Sequence, residues 1–390
     1  MERETSIALK SKVRPTLFVG AGITTLGALL LSASPAAADL ILSTPTQNFS
    51  DAHSILDDLT TAGATTATVN YGSGLNFSQF DTTQGVLTGA QLILSTTTRK
   101  AHGSLAASGT HNGGGAATAL GTNGSTASIL APNAESFSLS GIAPSNPTCS
   151  RPGGVRTCSR SESPAAITNV NLSHQVSPAN LGLYAGLGTV TLQPSAALSA
   201  QASTSGAHPF ANVNDAYSLT WSGTLGIAYS YVYHASPSFD GLGLLNNLTV
   251  DFGTVGQGSG GGQLSNGFSI YNLIAHLDAA DTADVKLSLI NGSGNPGTLN
   301  SDISLFNALQ AGSSDYFDAF LNTTAIGGFQ TDYDFALFDD VPGGVGMDSY
   351  NLHLTLLGKV VATPEPASMA VFGIGLAGLW FGRRKKLAHA

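Results

Sequence analysis

An all-β architecture, organised as two β-sandwich domains with a short apolar helix at each end, is the expectation from three features. Short runs alternating apolar and polar residues recur between turns rich in Gly, Asn, Ser and Pro, the pattern of half-buried strands. Charged residues are 10% of the 390, against an ordinary ~25%; such a composition suits sheets faced with hydroxyls and amides. Both ends break the pattern, each pairing an apolar run with a basic cluster.

The first element is N-terminal. Arg3, Lys10, Lys12 and Arg14 precede the apolar run Leu17 to Leu31, and small residues from Ala36 to Ala38 lead up to Asp39. This is the layout of a signal peptide over residues 1–38, cut by signal peptidase between Ala38 and Asp39, with Ala36 and Ala38 at the recognition positions.

The next unit is expected over residues 39–235. Leu75 to Thr98 reads as an extended piece ending at Phe80, a turn over Asp81 to Gly85, and a strand centred on Leu92, Ile93 and Leu94. His102 to Ser125, dense in Gly, Ala, Thr and Asn, offers little to bury and reads as a long hairpin or loop. Phe137 and Leu139 alternate with serines. A further strand is expected at Gly188 to Leu192, and Ala216 to Ala235 reads as two strands turning near Gly223.

Cys149 and Cys158, the two cysteines, flank a turn made of Pro152, Gly153 and Gly154. In an exported chain a disulfide closing this ten-residue loop is the expectation, contributing ~2–3 kcal/mol by chain entropy. Free thiols or half a metal site is the alternative, although zinc would need further ligands.

Three blocks in this unit, Phe77 to Gly89, Leu183 to Leu192 and Ala228 to Tyr233, resemble the choice-of-anchor E domain. The resemblance implies an exported β-domain and assigns no activity.

The second unit is expected over residues 236–361. Leu248 to Ala275 reads strand, Gly-rich turn, strand; Asp284 to Gly294 alternates; Phe306 to Phe320 and Gly328 to Asp340 follow, and Met347 to Val361 ends on a strand. Seven or so strands in this length match an immunoglobulin-like sandwich. Asp251 to Val255, Ala311 to Ser314 and Leu354 to Val360 resemble the major-sperm-protein-like immunoglobulin domains, which implies a packing or adhesive role without catalytic residues.

The last thirty residues follow another logic. Pro364, Glu365 and Pro366 form an extended tripeptide. An apolar run from Ala367 to Gly382 follows, and Arg383, Arg384, Lys385 and Lys386 close it. As a helix the run covers ~24 Å against a ~30 Å hydrocarbon core, so it spans only with flanking residues, and the cations would stay cytoplasmic. These three blocks over 362–390 resemble the PEP-CTERM sorting signal of Gram-negative bacteria. The resemblance implies an exosortase-like transpeptidase as partner, transient anchoring in the inner membrane through the C-terminal helix, and a final place at the cell surface or outside.

Without its two ends the chain is strongly acidic. Residues 39–362 hold 21 acidic and seven basic residues, hence −14, and nucleic acid is excluded as a partner for want of a basic footprint. Residues 240–362 hold thirteen Asp, no Glu and two Lys. Asp278, Asp281 and Asp284, and farther on Asp332 and Asp334, supply hard oxygens of the kind Ca²⁺ takes, but no EF-hand loop is present. Solvated carboxylates and turn formers are the competing reading, so no cofactor is assigned and Ca²⁺ alone stays open.

The remaining motifs point away from chemistry. Gly256, Gly258 and Gly261 satisfy G-x-G-x-x-G, yet a strand follows where the dinucleotide fingerprint needs a helix, so a hairpin loop is expected. No G-x-S-x-G elbow occurs. His53, His102, His111, His174, His208, His234, His276 and His353 stand singly, as surface or strand residues. Trp221, Tyr229, Tyr231 and Tyr233 read as one core face or, less simply, as a sugar-stacking strip. The expectation is a non-enzymatic exported surface or matrix protein, adhesive or associated with exopolysaccharide. A Ca²⁺-dependent carbohydrate-binding module and an exported glycan-active enzyme, with its two carboxylates, are the alternatives.

Overall fold

Alternation of buried and exposed side chains sets the strands, and these fall into four sheets. The computed structural model describes residues 39–60, 64–109, 116–139, 142–151, 157–274, 278–363 and 366–386. The expected signal segment, including Ala36 and Ala38, lies outside the described residues.

The first strands are β1 (Leu40–Ser43), β2 (Gln47–Asp58), β3 (Thr65–Asn70), β4 (Leu75–Ser78), β5 (Val86–Ser108), β6 (Ala117–Leu130), β7 (Ser136–Leu139), β8 (Thr148–Arg151), β9 (Thr157–Glu162), β10 (Ile167–Gln175), β11 (Thr189–Gly206) and β12 (Asn212–Val232). They continue as β13 (Pro237–Ser238), β14 (Asn247–Gly256), β15 (Gln263–Asn272), β16 (Asp284–Gly294), β17 (Leu299–Ser301), β18 (Phe306–Leu309), β19 (Ser314–Asn322), β20 (Gly327–Asp340) and β21 (Ser349–Val361), and helix α1 (Pro366–Lys386) follows.

One sheet runs β1-β12-β5-β10, with β2 also on β12 and β9 also on β5. Its partner runs β3-β11-β6-β7, with β4 on β11 and β8 on β6. Leu92, Leu94, Trp221 and Leu225 from one meet Ile129, Leu192, Ala196 and Leu198 from the other in a dry core. Burying each Leu or Phe side chain contributes ~1.5–3 kcal/mol, which holds the sheets face to face.

The second pair runs β13-β15-β19-β17 and β14-β21-β20-β16-β18. Phe268, Phe317 and Leu321 pack against Val285, Phe335, Leu354 and Leu356. Between the named strands, pairing among the described residues is antiparallel except for β14 and β21, which run parallel from Asn247↔His353 to Gly256↔Val361. Sheet membership passes from one pair to the other between Val232 and Pro237.

Three local expectations are corrected. His102 to Ser125 is not a loop, since β5 and β6 extend into it from opposite sheets. Most of their inward positions, Ala101, Gly103, Ala107, Ala117, Ala119 and Gly121, are small and buried, so this end of the sandwich closes tightly around a small apolar cluster of Leu105, Phe210 and Val213. Gly223 turns nothing: β12 passes through it as one strand with a register shift between Ser222 and Thr224. A Cβ there would stand 3.1 Å from Leu94 Cδ1 and from the Phe49 ring, so the glycine serves close packing at a bulge. The Gly-rich segment after β14 is not a hairpin either, because β14 and β15 belong to facing sheets and the segment arches between them.

The two sandwiches are joined by backbone pairing. Leu87 and Val345 exchange both hydrogen bonds at 2.9 Å, Tyr233 N donates to Asp281 O at 2.7 Å, and Ala283 N donates to Tyr233 O at 2.8 Å. Val86 and Val232, from the first pair's strands, are buried in the second core.

Candidate functional site

The C-terminal segment is built on the last strand. Val361 ends β21, Ala362 and Thr363 are exposed, and α1 begins at Pro366. Pro364 and Glu365 lie outside the described residues. Proline suits the first helical position, where its missing N–H has no helical acceptor. From Ala370 to Trp380 every side chain is exposed, among them Val371, Phe372, Ile374, Leu376 and Leu379. Between Ala370 and Trp380 the helix is apolar on all sides, a composition that suits apolar surroundings.

The expectation of a transmembrane helix is corrected here: among the described residues no helix is long and apolar enough to cross a membrane. The apolar run is short, interrupted by Gly373, Gly375 and Gly378, and meets the cationic Arg383 to Lys386 in its last turn.

The acidic candidates do not converge. Asp278 caps a short turn, accepting from Ala280 N at 3.1 Å. Asp284 faces Asp340 across the β16–β20 pair, and burial, reinforced by Asp340, raises its pKa. Asp332 and Asp334 sit on the outward face of β20, opposite Thr355 and His353. Thr355 Oγ1 donates to Asp332 at 2.8 Å, and Asp334 lies 2.7 Å from His353 Nδ1. The register sets Asp334 against Asn291, seven residues along β16 from Asp284, or ~23 Å at strand rise. Among the described residues no group of three or more His, Cys, Asp or Glu could hold a metal ion.

The aromatic residues face inward at the centre. Trp221 and Tyr229 are buried, with Trp221 Nε1 donating to Thr97 Oγ1 and Tyr229 OH to Ser78 O, both at 2.8 Å. Phe49 meets Trp221 edge-on at 5.0 Å. Tyr231 and Tyr233, half-buried, meet edge to face at 5.7 Å. The core reading holds for Trp221, Tyr229 and Tyr231, while Tyr233 lies at the junction, where its backbone pairs with Thr282.

Cys149 and Cys158 are paired, with Cα atoms 5.9 Å apart. What spacing could not show is that β8 and β9 belong to facing sheets. The bond therefore staples the sandwich across its interior, beside Leu105, Ala107, Phe210 and Val213.

His234 is the residue whose role spacing missed. It stands where the sandwiches meet, with Nδ1 2.8 Å from Asp339 Oδ2 and Nε2 2.8 Å from Thr82 O. Asp339 is fully buried and also accepts from Ala235 N at 2.8 Å, Asp348 N at 2.8 Å and Tyr350 OH at 2.9 Å. Both imidazole nitrogens face acceptors, so the doubly protonated ring satisfies both. The bond to Asp339 raises the His234 pKa, against the opposing effect of burial. Burial by itself would raise Asp339, yet the bonds from His234 and its other donors outweigh it and hold the carboxyl low.

A second buried polar set lies inside the first sandwich. Asn123 Nδ2 donates to Asp215 Oδ1 at 3.1 Å, while Gly121 leaves no room for a side chain, because a Cβ there would land on the Asp215 carboxylate.

Comparison with known proteins bears on the C-terminal segment. Residues 362–386 match the PEP-CTERM protein-sorting motif. The chain therefore carries a C-terminal sorting signal of exported, envelope-directed proteins. No characterised protein sequence matches the chain. Among solved structures, the ASH/PapD-like domain of human CEP192 is similar at 12% identity, with 30% of this chain and 84% of that chain covered and a TM-score of 0.19. The VesB protease of Vibrio cholerae covers 34% of this chain and 37% of its own at 12% identity, TM-score 0.18. Infectious bursal disease virus, Gt strain, covers 56% and 49% at 9% identity, TM-score 0.13. At these TM-scores none of the three bears on fold or function.

Proposed function

We propose that this chain is a non-enzymatic protein of the cell surface or extracellular matrix, exported by its signal peptide and processed at its tail by an exosortase-like transpeptidase. The observation that carries the reading is the sorting motif at 362–386, joined directly to the final strand of a folded β-sandwich. The cargo is read as a choice-of-anchor E-like domain over 39–235 and an immunoglobulin-like domain over 236–361. Its role is adhesive or associated with exopolysaccharide. The low charge and the hydroxyl- and amide-rich strands support that role, since such faces hydrogen-bond to neutral sugars without desolvating ions.

The test replaces Pro364, Glu365 and Pro366 with alanine in the full-length chain in its native host. Fractionation and intact-mass measurement should show the tail left uncut and the variant missing from the cell-surface fraction. Processing at the normal rate would refute the reading.

A further inference from the structure

The Gly-rich motif that binds no nucleotide lies beside the place where the tail leaves the body. β21 is an interior strand, and its last residues are flanked on both sides: Val255↔Val360 and Gly256↔Val361 on β14, Gly327↔Val360 on β20. At that end, the arch after β14 and the β19–β20 turn form one rim. Gln257 N donates to Val361 O at 2.8 Å, and Gln257 Nε2 donates to Thr324 O at 2.8 Å. Gly258 N donates to Thr323 O at 3.1 Å, Thr323 N to Gly262 O at 2.9 Å, and Thr323 Oγ1 to Ser259 O at 2.9 Å. A Cβ on Gly256 would press on the Thr363 methyl, at 2.5 Å.

The rim's chemistry differs from that of its surroundings. Gly258, Gly260, Gly261 and Gly262 all have positive φ, between 65° and 106°, so the arch is shaped by backbone and presents almost no side chains. No acidic residue occurs between Asp251 and Asp278 or between Asp318 and Asp332, although the unit holds thirteen Asp. The nearest charge along β21 is a cation, Lys359. Thr324, Ala325 and Ile326 are exposed, the last by 57%.

Only Ala362 and Thr363 separate the final strand from Pro364, a reach of ~7 Å when fully extended. An enzyme acting on the tripeptide therefore meets the folded body. The geometry points to this rim as the docking surface for the transpeptidase that processes the tail: a smooth collar, shaped by backbone and set directly beside the exit of the last strand. The inference rests on the tail reading proposed above.

The test is pulse-chase processing of the full-length chain in its native host. Ala325→Glu combined with Ile326→Glu adds two carboxylates to the collar at exposed positions. Melting of the purified variant reports whether the fold is kept. Processing should slow by at least about tenfold, because docking would desolvate two carboxylates, and a Gly/Ser spacer of about ten residues between Thr363 and Pro364 should restore it, because such a linker lets the body stand off by ~17 Å. Ser349→Glu with Asn351→Glu, at the far end of β21, should process normally. Normal rates for the collar variant, no rescue by the spacer, or equal slowing by the far-end variant would each overturn the docking surface. If the triple-alanine tail is blocked while the collar variant is processed normally, the docking surface alone fails; if the triple-alanine tail is processed normally, both readings fail.

Discussion

Replacing Asp339 with Asn tests the joint between the sandwiches. The buried carboxylate accepts from His234, Ala235 N, Asp348 N and Tyr350. An amide keeps one oxygen, enough for two of these four donors, and turns its own N–H groups toward the others. Two orphaned donors at ~1–3 kcal/mol each agree with the ~3–5 kcal/mol lost when one member of a buried pair is removed. For a chain of this size each kcal/mol moves Tm by ~1–2 °C, so a drop of roughly 3–10 °C is expected in thermal melting. The pH dependence has a defined sign. The raised pKa of His234 contributes stability in full below its ordinary 6.5, lost as pH rises through the folded value. The lowered pKa of Asp339 contributes stability above its ordinary 3.8, lost as pH falls through the folded value. The Tm gap between wild type and Asp339→Asn should therefore be widest from about pH 4 to 6.5 and narrow in more alkaline buffer. A gap below ~2 °C, or one constant from pH 5 to 9, would refute the assignment of a buried ion pair.

Other outcomes follow from single contacts. Intact mass of the exported protein should be two hydrogens below the reduced value, and Cys149→Ser should cost ~2–3 kcal/mol in denaturant unfolding; a full-mass protein would remove the staple. Gly121→Ala should destabilise by ~1–3 kcal/mol because the new methyl meets the Asp215 carboxylate between two packed sheets, whereas Gly328→Ala, with nothing within 4 Å, should be close to neutral. Because the carboxylates of Asp332 and Asp334 are engaged by Thr355 and His353, Tm should be the same in Ca²⁺ and in EDTA; a rise of several degrees with Ca²⁺ would show a bound ion.

Legibility differed sharply between local and non-local features. The alternation at Phe137 and Leu139 specified a strand because side chains on a strand alternate by necessity, and β7 lies there. Small residues misled for the opposite reason. Between Ala101 and Gly121 the described inward positions are mostly alanine and glycine, with Leu105 the exception, and hydrophobic periodicity has little to detect when a sheet closes largely on small residues. Gly223 looked like punctuation, since a bulge inside one long strand and a turn between two share the same residue. His234 carried no local signal at all: its partners Thr82 and Asp339 lie 152 and 105 residues away.

The sorting segment needed no tertiary structure, because its motif is contiguous over residues 362–386, and so order along the sequence is the whole of its information. All-β character was equally local, set by alternation and turn residues. Which strands share a sheet, that Cys149 and Cys158 bridge two sheets, that a glycine arch borders the exit of the tail, and that one histidine is held between two sandwiches were decided only by folding. Each depends on residues brought together across long stretches of chain, where the burial of one group is set by what another strand places beside it.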